Sequence, residues 1–83
     1  MVVREQIRHF IQNSFLVDDF ADDASFLTTG LIDSLGISQL IAFVESTYAI
    51  RVLDADLVPD NFDSVAKLTA YVQRRKSEQP QTA

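Results

Sequence analysis

The stretch Gly30-Leu31-Ile32-Asp33-Ser34-Leu35 closes a polar loop and opens the most apolar helix of the chain. Asp33 is a good helix N-cap, because its carboxylate can accept hydrogen bonds from the free N–H groups of a first turn. Ser34 is then the first helical residue, with its hydroxyl near the positive end of the helix dipole. A phosphate ester on that hydroxyl would sit where helix N-termini favour anions. Leu35 is read as turning inward, at the head of a face continued by Leu40, Val44 and Tyr48. The pattern predicts a helix over 34–48 that is apolar nearly all round, through Ile37, Ile41, Ala42 and Phe43, with Glu45 its one charge. Such a helix is buried on most sides or offers part of itself to a partner. A domain this small cannot bury every side, so apolar side chains beside Ser34 are expected at the surface. Gly36 weakens the first turn and allows another chain to come close.

Before this helix, Val3, Ile7, Phe10, Ile11 and Ser14 follow helical spacing, with Arg4, Glu5, Arg8 and Gln12 on the other side. A first helix is predicted over 2–15. The connection from Leu16 to Ile32 is long for a compact domain. Phe20, Phe26, Leu27 and Leu31 are the residues expected to pin it down. It also carries Asp18, Asp19, Asp22 and Asp23. A calcium loop needs alternating acidic ligands, a central glycine and a terminal glutamate, and that spacing is missing here. The aspartates read as a solvated acidic loop.

After the central helix, Ile50, Val52 and Leu53 read as a packed loop, because no second β-like segment exists to pair with a strand. Residues 54–58 can form one short helical turn, stopped by Pro59. Asp60-Asn61-Phe62 reads as a turn with one buried aromatic. Asp63 or Ser64 caps a last helix whose inner face is Val65, Leu68, Thr69 and Val72, with Tyr71 alongside. Arg74, Arg75 and Lys76 suit the C-terminal end of its dipole. The expected fold is all-α: a small four-helix bundle of three main helices and one short one, with a long first loop. It forms one domain over 1–76, and the polar residues 77–83 are expected to be a disordered tail.

The net charge of −5 makes nucleic acid an unsuitable partner, since its phosphates would be repelled. The absence of cysteine removes a disulfide scaffold, a thiolate metal site and a cysteine nucleophile, and fits a reducing compartment. Residues 1–17 resemble neither a signal peptide nor a membrane span, so a cytoplasmic location is expected. His9 stands alone on a polar helix face, which leaves neither a metal site nor a base for a catalytic triad. Two glycines cannot make a glycine-rich phosphate loop. No enzymatic constellation can be named, so the chain reads as an interaction module or a carrier of something attached to it.

Over residues 3–76 the chain resembles the stand-alone acyl carrier proteins. The resemblance rests on the apolar first helix, the loop through Phe26-Leu27 and Gly30-Leu31-Ile32, and Asp33-Ser34-Leu35 at the start of the second helix. It continues through Val44-Glu45, Tyr48, Ile50, Val52, the acidic turn at 54–58, Asp63-Ser64-Val65 and Ala70-Tyr71-Val72. The resemblance implies that Ser34 receives 4′-phosphopantetheine from coenzyme A. The arm then holds an acyl or aminoacyl group as a thioester and presents it to partner enzymes. Asp33 would cap the helix and help dock the phosphopantetheinyl transferase. Other implied partners are an acyl- or aminoacyl-activating (adenylating) ligase and downstream acyl-processing enzymes. The protein is expected to be a monomer. One departure matters: fatty-acid carriers usually line this helix with acidic residues, whereas here Gly36, Ser38, Gln39, Ala42, Ser46 and Thr47 occupy it. The near-neutral helix is more similar to D-alanyl, other aminoacyl or secondary-metabolism carriers. The expected partner face is Ile32, Leu35, Gln39, Ala42 and Glu45. The competing reading is a non-covalent interaction module that docks through the apolar face of the same helix.

Overall fold

In the computed structural model, which describes residues 2–17 and 19–78, three long helices enclose one core. They are α1 (Val3–Phe15), α3 (Ser34–Tyr48) and α5 (Val65–Glu78). Two single-turn helices lie between them, α2 (Phe26–Thr29) and α4 (Pro59–Phe62), with a 3-10 turn at Asp54–Asp56. The all-α class therefore stands: the short helical turn predicted at 54–58 is the 3-10 turn, and α2 and α4 are two further short helices, α4 in place of the turn expected at 60–62. The long first connection is interrupted by α2. Pro59 begins α4 rather than ending the turn before it, because a proline at the first helical position lacks only an N–H that would be free anyway. At the other end α5 continues through Ser77 and Glu78, two residues into the segment expected to be a tail. The remainder of that segment lies outside the described residues, as does Asp18.

Asp33 caps α3 as its sequence predicts: its backbone is extended and its carboxylate accepts the Gly36 N–H at 2.8 Å. The inward row of α3 is Gly36, Leu40, Val44 and Tyr48. Leu35 is not in it. It lies 100° round the helix from Gly36 and is 69 % exposed. The fourfold spacing 36/40/44/48 is the seam, and Leu35 falls one residue out of register with it.

Gly36 does permit a close approach, but by this chain's own residues. A Cβ at position 36 would lie 2.5 Å from Ile32 Cγ2 and 3.0 Å from the Phe15 ring. Alanine favours a helix over glycine by about 0.5–1 kcal/mol, whereas overpacking a core costs about 1–3 kcal/mol. The clash wins. Gly36→Ala should lower stability by about 1 kcal/mol in urea unfolding, and a stabilised variant would show that Ile32 is not held there.

The rest of the core comes from Ile7 and Ile11 of α1, Phe26, Ile32, Ile50, Phe62, and Val65, Leu68, Tyr71 and Val72 of α5. Ser14, expected on the inner face of α1, is exposed, and Phe15 packs inward in its place. Phe10 and Phe43 stack with ring centroids 4.2 Å apart between α1 and α3. Tyr71 buries its ring, and its hydroxyl donates to Asp56 Oδ2 at 2.8 Å. Burial raises the Tyr71 phenol to about 12, and the neighbouring carboxylate adds to the rise. Ser64 supplies the cap of α5, its Oγ accepting the Lys67 N–H at 3.1 Å.

The acidic loop is tied down by arginines. Arg8, expected on the outer face of α1, donates to the Phe20 carbonyl and to Asp22, each at 2.7 Å, and also pairs with Asp19. Its guanidinium lies 4.5 Å from the centre of the Phe20 ring. Arg4 pairs with Asp22 as well and, as the main cause, holds that carboxyl below its ordinary 3.8. A carboxyl depressed on folding stabilises the fold above its unfolded value and stops doing so as pH falls through its folded one. The stability difference between wild type and Asp22→Asn should therefore be present at pH 6 and shrink once the pH drops below about 3.8. Urea midpoints across that range check it, and a pH-independent difference would refute the pairing.

Candidate functional site

Ser34 is the first residue of α3 and is exposed, directly after the Asp33 cap. The segment that delivers it is fixed at several points. Gly30 ends α2 in the left-handed conformation, φ 74°, which glycine adopts without strain. Ile32 then returns to the core and donates its N–H to the Phe26 carbonyl at 3.4 Å. With Ile32 packed under Gly36, the next two residues emerge at the surface. One turn along, Ser38 donates its hydroxyl to the Ser34 carbonyl at 3.4 Å, so its Oγ belongs to the helix.

Of the residues expected on a partner face, Leu35, Gln39 and Ala42 are exposed on α3. Ile32 is not on that face. At 2 % exposure it is a core side chain, because the glycine opposite leaves room for it. Glu45 is half-buried, and its carboxylate accepts the Val52 N–H at 2.9 Å. The one acidic side chain of α3 is thus occupied in holding the 50–53 segment. The exposed strip of α3, from Ser34 and Leu35 through Ser38, Gln39, Ala42 and Ser46, carries no charge.

Beside this strip lies an open apolar groove of about 290 Å³ that is not among the features expected from the sequence. Leu27 forms one wall, Ile37 and Ile41 of α3 another, and Leu57, Val58 and Phe62 close it. Ser38 and Asp63 supply polar edges. Leu27, Leu57 and Val58 are each more than 40 % exposed, although Leu27 was expected to pin the loop. Pinning falls to Phe26, fully buried, while its neighbour faces the groove. The signal was the Leu57-Val58-Pro59 run, an exposed apolar pair set before a helix-starting proline.

In comparisons with known proteins, no family model matches the chain and no curated protein matches it significantly. Among the described residues, no group of three or more His, Cys, Asp or Glu side chains is placed to hold a metal ion. No described helix is long and apolar enough to cross a membrane.

Proposed function

We propose that this protein is a carrier whose Ser34 hydroxyl takes a 4′-phosphopantetheine arm from coenzyme A. The observation that carries the reading is an exposed serine at the first position of a capped helix whose next turns border an apolar groove. In the attachment step the Ser34 oxygen bonds to the phosphorus that bears the pantetheine. The pyrophosphate bond breaks, the adenosine bisphosphate half leaves with its electron pair, and the hydroxyl proton passes to the transferase. The residues present fit the group. Ser34 supplies the oxygen, and the end of α3 favours the phosphodiester charge that results. Asp33 already has its cap bond to Gly36, so the helix start is ordered before the transferase arrives. When bound, the arm supplies a terminal thiol on which acyl or aminoacyl groups are held as thioesters. The chain itself supplies the platform and is not an enzyme in this reading.

The experiment is intact-mass analysis after incubation with coenzyme A and a broad-specificity phosphopantetheinyl transferase. One adduct mapped to the Ser34 peptide supports the reading. No adduct on folded protein, with the transferase shown active, favours a non-covalent docking module, for which the exposed Leu27, Leu35, Leu57 and Val58 give the apolar surface.

The partner enzymes, a transferase and an activating ligase among them, dock on the uncharged strip of α3. Recognition there depends on shape and apolar contact more than on charge steering. Ala42→Glu adds a charge to the middle of that strip at an exposed site. It should change stability by no more than about 0.5 kcal/mol and lower kcat/KM for loading about tenfold, a loss of about 1.4 kcal/mol. Unchanged kinetics would move the docking face elsewhere.

A further inference from the structure

Asp63 stands between α4 and α5, and three consecutive residues of a distant segment converge on it. Ser25 donates its hydroxyl to the Asp63 carboxylate. The Phe26 N–H donates to the Asp63 carbonyl at 2.7 Å. The Leu27 N–H donates to the carboxylate at 3.0 Å. Ser25 in turn caps α2 by accepting the Thr28 N–H at 3.0 Å. A helix of one turn cannot hold itself together in water. Burial of Phe26 keeps α2 on the core, but one buried ring does not fix how the turn is rotated about it. The two carboxylate bonds do. They set the N-terminal end of α2, and so the place of Leu27, the groove wall that faces Ile37 and Ile41. The same turn leads through Gly30 and Ile32 to Asp33 and Ser34.

We infer that Asp63 is a positioning residue for the Ser34 site: it clamps α2 so that the groove and the loop entering α3 keep one shape. The inference rests on the carrier reading above. Asp63 touches neither Ser34 nor the arm. It acts through Ser25 and Leu27, and the geometry needs two hydrogen-bonding atoms at the end of the side chain rather than a charge. Asparagine retains one acceptor for the Leu27 N–H, and its amide can donate to the Ser25 oxygen. Alanine retains neither contact.

The test compares wild type, Asp63→Ala, Asp63→Asn and Ser25→Ala as substrates for loading by coenzyme A and the broad-specificity transferase. Amide hydrogen exchange is recorded on the same proteins. Asp63→Ala should raise the KM for the carrier about fivefold while kcat stays within about twofold, because a misplaced loop weakens docking more than the transfer itself. Asp63→Asn should restore KM. Exchange at Thr29, Gly30 and Ile32 should speed up about tenfold in Asp63→Ala, with Leu68 and Val72 of α5 unchanged. A wild-type KM in Asp63→Ala, or an Asp63→Asn as defective as the alanine, overturns the inference. If Asp63→Ala does not fold, Ser25→Ala, which removes the side-chain bond from the other partner, carries the same comparison. If wild type takes no adduct, the carrier reading fails and the exchange data decide the clamp alone. Unchanged exchange at Thr29, Gly30 and Ile32 would then overturn it.

Discussion

Ser34→Ala should take no arm under conditions where wild type is fully loaded, and it should remain folded. The loss is complete because the bond to phosphorus needs an oxygen on that side chain, and alanine has none. The fold is spared because residue 34 is exposed at the first helical position. Surface substitutions of that kind shift stability by about 0.5 kcal/mol or less, which moves the thermal midpoint of a domain this size by about 2–4 °C. Ser38 is the control. It is exposed on the same helix one turn later, but its hydroxyl is turned back to the Ser34 carbonyl. Ser38→Ala should load like wild type. An adduct that survives Ser34→Ala would remove the carrier reading, and one that moves to Ser38 would mean that the helix start is not what the transferase recognises.

How much of this site could be read in advance depends on the range of the interactions that make it. The limits of α3 were legible because its signals are local. Asp33 caps from one residue before the first turn, and the apolar run supplies the body. Its far end was read correctly although Ala49, not glycine, takes the left-handed position at φ 55°. The direction of Leu35 was misread because a helix apolar nearly all round does not announce its seam. Gly36 holds the seam position, and a glycine carries no hydrophobic signal. The short helix α2 was not legible at all. Its shape is fixed by Asp63, thirty-six and more positions along the chain, and no local propensity encodes that. Arg8 was misread for the same reason: its ligands Asp19, Phe20 and Asp22 lie in a loop that only folding brings beneath it. Glu45, expected on the partner face, is half-buried and accepts the Val52 N–H, a contact that its place on α3 does not announce. The cap and the serine were therefore plain from sequence, while the groove and its clamp, assembled from three separated segments, were not.

Phe26→Ala should be the most destabilising single change near the site. Phe26 is fully buried in the common core, and its backbone joins two bonds, its N–H to Asp63 and its carbonyl to the Ile32 N–H. Truncating a buried phenylalanine costs about 3–5 kcal/mol, the transfer loss plus the cavity left behind. Small domains have about 5–15 kcal/mol of total stability, so this one substitution removes a large share of it. The urea midpoint should fall by about 1–5 M, given about 1–3 kcal/mol per molar for small proteins. Leu27, the next residue of the same turn, is 53 % exposed. Leu27→Ala should cost no more than about 0.5 kcal/mol. The contrast between neighbours is the informative part. A four-residue helix has one residue that holds it to the core and one that it presents to the groove, and the two should separate cleanly in unfolding and in loading. Leu27→Ala should keep its stability and slow the docking of partners. Phe26→Ala should lose stability, and with it loading, both through the protein that is unfolded and through the loop that α2 no longer anchors. A Phe26→Ala variant less than about 1 kcal/mol below wild type would mean that α2 does not anchor the loop, and the path that delivers Ser34 to the surface would then need another support.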